Sequence, residues 1–373
     1  MNTLEKVHIL GASAAYDRCG CEVSANEAKK RGKLRRILPA ADGIYPATTS
    51  NGRKTMLLKV LQSNECANDC RYCANRCERA VTRASFSPTE LSNLFFNYLG
   101  KGYVEGLFLS SAIHGSEDNM GKILETVSIV RKRGFRGYIH TKILPGATRD
   151  QVKQAAELST RLSINVEAPS KARLSELSSQ KDYSCDILKR MAWIRDENFA
   201  GRIQAGQTTQ FVVGASDETD HEILRMTSWL YQKMHLQRTY FSAFSPIKDT
   251  PLEQHEKTSD VREYRLYQAD FLLRDYGFKF SDFVFDDDMN IPYSIDPKMA
   301  YAQEHYDELF PVNLEDANLR ELMFVPGIGK ITAQKILQAR DCDPLGRRKI
   351  AQMVPRKAVP FVDISGTRQM RLN

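Results

Sequence analysis

No stretch of this chain approaches the roughly 18 consecutive apolar residues of a spanning helix, so a membrane-embedded role is excluded. The opening residues, Met1-Asn-Thr-Leu-Glu5, offer neither the basic segment nor the long apolar segment of a secretory signal, and a cytoplasmic setting is expected. No internal repeat is visible beyond a strand–helix unit. What is present suits a globular protein of one large domain, or a large and a small one: 373 residues, 42% apolar and 27% charged. Eight cysteines in a reducing compartment do not read as a disulfide framework. Metal or redox chemistry is the better expectation.

The net charge of +7 is unevenly spread. From Lys330 to Asn373 ten basic residues face three aspartates, so this tail carries the whole net charge. The stretch Asp282–Asp316 holds ten carboxylates and one lysine. A second basic cluster stands at Lys29, Lys30, Arg31, Lys33, Arg35 and Arg36. The tail suggests a polyanionic partner, whereas the Lys29 cluster reads equally well as a solvated face.

Between residues 55 and 276 strand-like runs alternate with helix-like ones. Strands are expected over 55–62, 104–111, 137–144, 162–167, 208–214 and 239–244. Ser87-Pro-Thr-Glu90 opens a helix with a capping box, and Thr148 with Gln151 caps another. Further helices are expected over 119–132, 170–177 with 187–194, 217–233 and 261–276. Six strand–helix units predict parallel strands joined by right-handed crossovers. Six is short of a closed eightfold barrel, so the expected fold class is α/β, a partial (βα)6 TIM-like barrel with a small C-terminal all-α module. A doubly wound sheet is the alternative. The expected divisions are an N-terminal extension (1–53), a core barrel (54–281), an acidic connector (282–313) and the C-terminal module (314–373). Functional groups should gather at the C-terminal strand ends.

Cys66-Ala-Asn-Asp-Cys70-Arg-Tyr-Cys73 follows the first of those strands directly. Cys66, Cys70, Cys73 and Cys77 also match the spacing of a buried helix stripe. Against a helix, Asn64, Asn68 and Asp69 belong to a loop or cap. Closed zinc sites join two separated ligand pairs, and this cluster is contiguous. Three neighbouring thiolates suit an iron–sulfur cube with one iron lacking a protein ligand. Cys77 as a fourth ligand would close that position, and it reads as a small core residue. Cys19 and Cys21 are too few to hold a second cluster and read as unliganded.

This cysteine motif, after strand one of a six-unit barrel, resembles the radical S-adenosylmethionine (SAM) superfamily over about residues 54–253. The resemblance implies a [4Fe–4S] cluster on Cys66, Cys70 and Cys73, and SAM chelated at the open iron. It further implies reductive cleavage to a 5′-deoxyadenosyl radical, and an electron donor such as flavodoxin or ferredoxin. Tyr72 matches the aromatic that lies against the adenine. Ser110-Ser111-Ala112 stands where many members have Gly-Gly-Glu. Ser163, Asn165 and Glu167 alternate along strand four, at the family's ribose- and methionine-contacting position. Gln210-Phe-Val-Val-Gly214 resembles the fifth-strand glycine motif, with Gln210 replacing its first glycine. Pro246-Ile-Lys-Asp-Thr-Pro251-Leu-Glu253 resembles the turn after strand six, with Asp249 replacing glycine. His140 and Lys142 share one face of strand three and are candidate substrate-contacting or catalytic residues; a satisfied buried polar pair is the alternative.

Leu322-x-x-Val325-Pro326-Gly327-Ile328-Gly329-Lys330-Ile331-Thr332-Ala333-x-x-Ile336-Leu337 reads as a helix-hairpin-helix. Its glycines permit a tight turn with exposed amides at a helix start, an anion nest suited to a phosphate. Pro326, Gly327, Gly329, Lys330, Thr332 and Lys335 are the candidate nucleic-acid-binding residues, with Leu322, Val325, Ile336 and Leu337 as the small core. With the hairpin, Glu105-Gly-Leu-Phe-Leu-Ser-Ser111, Gly137-Tyr-Ile-His140 and Tyr264-Arg-Leu-Tyr-Gln-Ala-Asp270 resemble, along most of the chain, the radical SAM proteins assigned to DNA modification or repair and associated with a uracil-DNA-glycosylase-like partner. DNA is the expected substrate. An RNA (tRNA) modifier and a non-catalytic iron–sulfur redox sensor that binds nucleic acid are the alternatives.

Overall fold

The computed structural model describes residues 1–15, 43–48, 54–114, 118–340 and 346–363, with the backbone alone for 346–349. Cys19, Cys21, the Lys29–Arg36 cluster and part of the basic tail lie outside the described residues. The chain divides into two units, one of residues 1–218 with 229–258 and one of 219–228 with 259–373.

The first unit is built on a seven-stranded sheet in sequential order: β1 (Ile44–Thr48), β2 (Lys54–Leu61), β3 (Gly106–Ser110), β4 (Ile139–Lys142), β5 (Arg161–Ser163), β6 (Gln207–Val213) and β7 (Arg238–Ala243). Strands β2 to β7 are parallel, and β1 pairs antiparallel on the outer edge of β2. This is the curled half-barrel sheet of a TIM-like partial barrel. Crossover helices α2 (Pro88–Gly100), α3 (Asn119–Lys132), α4 (Arg149–Leu158), α5 (Lys171–Leu177), α6 (Lys189–Phe199) and α7 (Asp220–Met234) join successive strands.

The two faces of the sheet differ. Leu58, Val60, Leu107, Leu109, Ile139 and Phe211 alternate on one face and are fully buried, with Leu91, Phe95, Ile123 and Val127 of the helices also buried. The other face carries Lys59, Ser110, His140, Lys142, Gln210 and Ser242, and is polar throughout much of its area. A packed apolar outside and a polar inside are what a half-barrel needs to hold a ligand within it.

Both expected caps form. The Ser87 hydroxyl accepts from the Glu90 amide while the Glu90 carboxylate accepts from the Ser87 amide, and Thr148 and Gln151 do the same. Glu90 also takes the Lys6 ammonium at 2.7 Å, which docks helix α1 (Thr3–Ala15) onto that cap. Neither α1 nor β1 was expected from sequence. Both are stabilised by contacts with distant segments, and their own composition carries little signal.

One strand is shorter than expected. The sequence predicts a continuous strand over 162–167, but β5 ends at Ser163. Beyond it the Thr209 hydroxyl enters the ladder, accepting from the Val166 amide at 2.9 Å and donating to the Ile164 carbonyl at 2.7 Å. Glu167 then turns to φ +64° and pairs with β6 through its own amide and carbonyl. Ser163, Asn165 and Glu167 therefore do not share one unbroken strand face.

The second unit includes α8 (Asp260–Asp275), α9 (Pro297–Glu304), α10 (Tyr306–Leu309), α11 (Leu319–Phe324), α12 (Lys330–Arg340) and α13 (Gly346–Met353). A two-residue parallel pair, β8 (Val312–Asn313) with β9 (Val362–Asp363), is an addition to an otherwise helical C-terminus. Phe278 stacks on Phe324 at 4.1 Å with Tyr301 edge-on to both. Leu322, Val325, Ile328, Ala333 and Ile336 complete this core, and Leu337 is half-buried.

Lys298 of α9 is buried in this unit. Its ammonium donates to the Ile328 carbonyl at 2.6 Å and lies 4.7 Å from the Tyr276 ring centre. Burial pushes Lys298 down to about 7, with Asp296 opposing. Between about pH 7 and the ordinary lysine value of 10.5 the unfolded chain holds a proton that the folded chain has lost. Stability therefore rises with pH across that window, and below it the buried charge exerts its full cost. Urea unfolding at pH 7 and pH 9.5 is expected to show that rise in the wild type and to lose it in Lys298→Met; an equal rise in the variant contradicts this assignment.

Candidate functional site

The cysteine loop leaves β2 at its C-terminal end and returns to α2. It contains turns and no helix between Cys66 and Cys77, which removes the helix-stripe reading. Its shape is fixed by polar side chains that bond its backbone and its neighbours. The Asn64 amide group donates to the Thr82 carbonyl and accepts from the Ala84 amide. The Arg83 guanidinium reaches four carbonyls, those of Asn64, Asn75, Arg76 and Arg79, and so gathers the loop around one cation. Asp69 ties the loop to the end of α5: its carboxylate accepts from both Ser178 and Ser179 hydroxyls and from the Ser179 amide. Burial works against that charge, but the Ser179 and Ser178 donors outweigh it and hold Asp69 below the usual carboxylate range.

Cys66, Cys70 and Cys73 all line one cavity of about 560 Å³ inside the half-barrel. Cys77 does not line it. It is exposed, which corrects the expectation of a core residue: its amide bonds the Asn68 carbonyl, and that turn points the thiol outward. Burial raises the Cys70 thiol, and burial reinforced by Cys70 pushes Cys73 up to about 12. These are neutral thiols until a metal displaces their protons.

The same wall carries Tyr72, Ser110, Ser111, Asn165 and Glu167, so five of the expected cofactor-binding residues meet the three cysteines. Ser163 and Gly214 do not. The Ser163 hydroxyl pairs with His140 Nε2 at 2.8 Å, and the Gly214 amide donates to the Glu218 carboxylate while its carbonyl meets His255 Nε2 at 2.8 Å. His140 is buried with its ring edge-on to Phe108 at 4.3 Å and lies off the cavity wall, whereas Lys142 is on it. After β7, Pro246, Ile247 and Lys248 line the wall, and Asp249 takes φ +60°, a conformation natural to the glycine it replaces.

Lys181 was not foreseen. Its ammonium lies 3.1 Å from the Glu167 carboxylate and 3.4 Å from the Tyr72 hydroxyl, with both side chains of the ion pair about nine-tenths buried. Burial opposes its charge, yet it is held well above its ordinary value, and the charge beside it is the Glu167 carboxylate it bonds, since burial keeps the protons on Cys70 and Tyr72. No local pattern marks Lys181, because it lies 14 residues beyond Glu167, past α5.

The donor set fits the cluster. Among the described residues no three His, Cys, Asp or Glu side chains gather closely enough to hold a single ion. A cube asks for something else, one thiolate on each of three irons, and this loop offers three thiols on one wall with the fourth turned away.

The turn residues belong to the second unit. Gly327 has φ +85° between α11 and α12, the Ile328 amide closes onto the Val325 carbonyl, and Lys330 and Lys335 are exposed. Thr332 is half-buried and Pro326 is buried.

Residues 60–230 match the family model of the radical SAM superfamily, whose enzymes use a [4Fe–4S] cluster and SAM. No curated protein sequence matches the chain. Similar solved structures include HydG, a maturase of the [FeFe]-hydrogenase, at 13% identity over 78% of this chain and 77% of that one, TM-score 0.47. Methylornithine synthase is similar at 15% identity over 73% and 76%, TM-score 0.46. HydG from Carboxydothermus hydrogenoformans gives 12% over 79% and 80%, TM-score 0.45.

Proposed function

We propose that this radical SAM superfamily member, matched over residues 60–230, is an enzyme that reductively cleaves SAM and acts on nucleic acid, in DNA modification or repair. The observation that carries the first part is the meeting of Cys66, Cys70, Cys73, Tyr72, Asn165 and Glu167 on one cavity wall at the C-terminal ends of parallel strands. When bound, the cluster supplies the electron that breaks the sulfonium bond, drawn from a donor such as flavodoxin or ferredoxin.

The chain's own residues bind and orient. The thiolates of Cys66, Cys70 and Cys73 would each hold one iron. Tyr72 offers a half-buried aromatic face beside Cys73 for the adenine. Asn165 and Glu167, 3.4 Å apart, offer an amide and a carboxylate to the ribose and the methionine amine. Lys181, 3.1 Å away, fixes the direction of that carboxylate.

The nucleic-acid part is supported by the exposed Gly327, Lys330 and Lys335 of the turn segment and by the excess basic charge beyond Lys330. Contacts of that kind position a phosphate backbone without reading bases. A uracil-DNA-glycosylase-like protein is the partner proposed alongside DNA. Among the described residues no helix is long and apolar enough to cross a membrane.

The test is fluorescence anisotropy with duplex DNA and with tRNA over a series of salt concentrations. A side chain at Gly329 would press on the Tyr276 hydroxyl at 3.3 Å, so charge removal is the cleaner change. Lys330→Ala with Lys335→Ala is expected to weaken duplex binding and to lower the salt slope by about two. Unchanged affinity and slope exclude this turn as the phosphate site, and tighter binding of tRNA than of duplex at equal salt moves the substrate to RNA.

A further inference from the structure

The strand registers place a row of basic residues on the inner face of the half-barrel. Lys59 pairs across to Phe108, Phe108 to His140 and His140 to Arg161; one pleat higher, Lys142 pairs to Ser163, Ser163 to Thr208 and Thr208 to Arg238. In-register partners in a parallel sheet share a face, so all of these side chains project to one side. That side is the interior, because Leu61, Ser110, Lys142, Gln210, Val212 and Ser242 on the same face line the cavity. Along the inward positions of the six parallel strands there is no aspartate or glutamate among the described residues. Lys59 is held there by rings, its ammonium 4.5 Å from Tyr45 and 5.1 Å from Phe108.

The cavity above this floor has the same sign. Its wall carries Arg79, Lys142, Lys181 and Lys248 against a single carboxylate, Glu167. Lys181 is engaged with that carboxylate and is the basic group that bears on Cys70 and Cys73. Arg79 bonds the carbonyls of Lys248 and Ala74. Lys142, from the end of β4, and Lys248, from the loop after β7, bring two further charges to the wall. A cleft with low-dielectric walls and one sign of charge concentrates ions of the opposite sign. Its volume of about 560 Å³ excludes a duplex, so only a single unstacked nucleotide of a polynucleotide can reach this wall.

We propose that the barrel takes a phosphate-bearing nucleotide unit of a polynucleotide, with Lys142 and Lys248 contacting its phosphate. This rests on the nucleic-acid reading above and locates the reacting nucleotide inside the first unit.

The probe is a 5′-phosphorylated thymidine dinucleotide titrated into the cluster-loaded enzyme by calorimetry at several salt concentrations. Lys142→Met with Lys248→Met is expected to weaken binding at least tenfold and to lower the salt slope by about two, with partial recovery in Lys142→Arg with Lys248→Arg. Lys330→Ala with Lys335→Ala is expected to leave dinucleotide binding unchanged. Lys248 is exposed, so Lys248→Met alone, with a slope lower by about one, keeps the test open if Lys142→Met does not fold. The proposal is overturned by a wild type that ignores the dinucleotide, by barrel variants with unchanged affinity and slope, or by loss confined to the turn variant. Failure of SAM cleavage by the wild type is a separate result that would sink the enzymatic reading and leave this binding measurement to stand by itself.

Discussion

Cys66→Ala, Cys70→Ala and Cys73→Ala are each expected to yield protein that retains no [4Fe–4S] cluster after anaerobic reconstitution, while Cys77→Ala retains the full iron and sulfide content. The difference follows from where one loop puts four thiols. Three face the cavity and one faces solvent, although all four lie at helix-like spacing in the sequence. Arg83 holds the carbonyls of Asn64, Asn75, Arg76 and Arg79 without help from any thiol, so the loop is expected to survive the loss of any one cysteine. The variants therefore report ligation and not misfolding, and near-native circular dichroism should accompany the iron loss. An equal loss of iron in Cys77→Ala contradicts the three-cysteine assignment.

The second large effect is expected at Glu167 and Lys181. Removing one member of a buried ion pair leaves the other charge desolvated and without compensation, at a cost of about 3–5 kcal/mol. With both side chains about nine-tenths buried, Glu167→Gln and Lys181→Met should each lie near the lower end of that range. Replacing both with apolar residues of similar volume, Glu167→Leu with Lys181→Met, should recover most of the loss, because no charge then remains buried. Urea unfolding of the two single variants and the double variant reads this directly. SAM affinity provides the contrast: the double variant regains stability but stays weak for SAM, since Glu167 is then absent from the cavity wall. A double variant as unstable as the sum of the singles contradicts the pairing.

These two sites show what the sequence could and could not disclose. Cys66, Cys70 and Cys73 lie within eight residues in a pattern that few other chemistries imitate, so the sequence singles them out before any fold is drawn, and the structure gathers them on one wall. Helix starts with reciprocal caps, at Ser87 and Thr148, were legible for a similar reason: both partners are three residues apart. The six parallel strands were legible from alternation, as was the position of the site at their C-terminal ends. Lys181 was hidden because its meaning arises only when α5 folds back and brings it to Glu167. The shared strand face expected for Ser163, Asn165 and Glu167 does not form because the Thr209 hydroxyl, far along the chain, follows the end of β5 and the chain turns at Glu167. Helix α1 and strand β1 were missed because distant partners, Glu90 and β2, supply what their own residues do not.

The central claim is that this half-barrel cleaves SAM and that nucleic acid is what it acts on. The most direct measurement is 5′-deoxyadenosine formation by the anaerobically reconstituted protein given SAM and a strong reductant, with and without duplex DNA. The account predicts product from the wild type, none from Cys70→Ala, and a higher yield when DNA is present. A fully loaded cluster that releases no 5′-deoxyadenosine under either condition would contradict it.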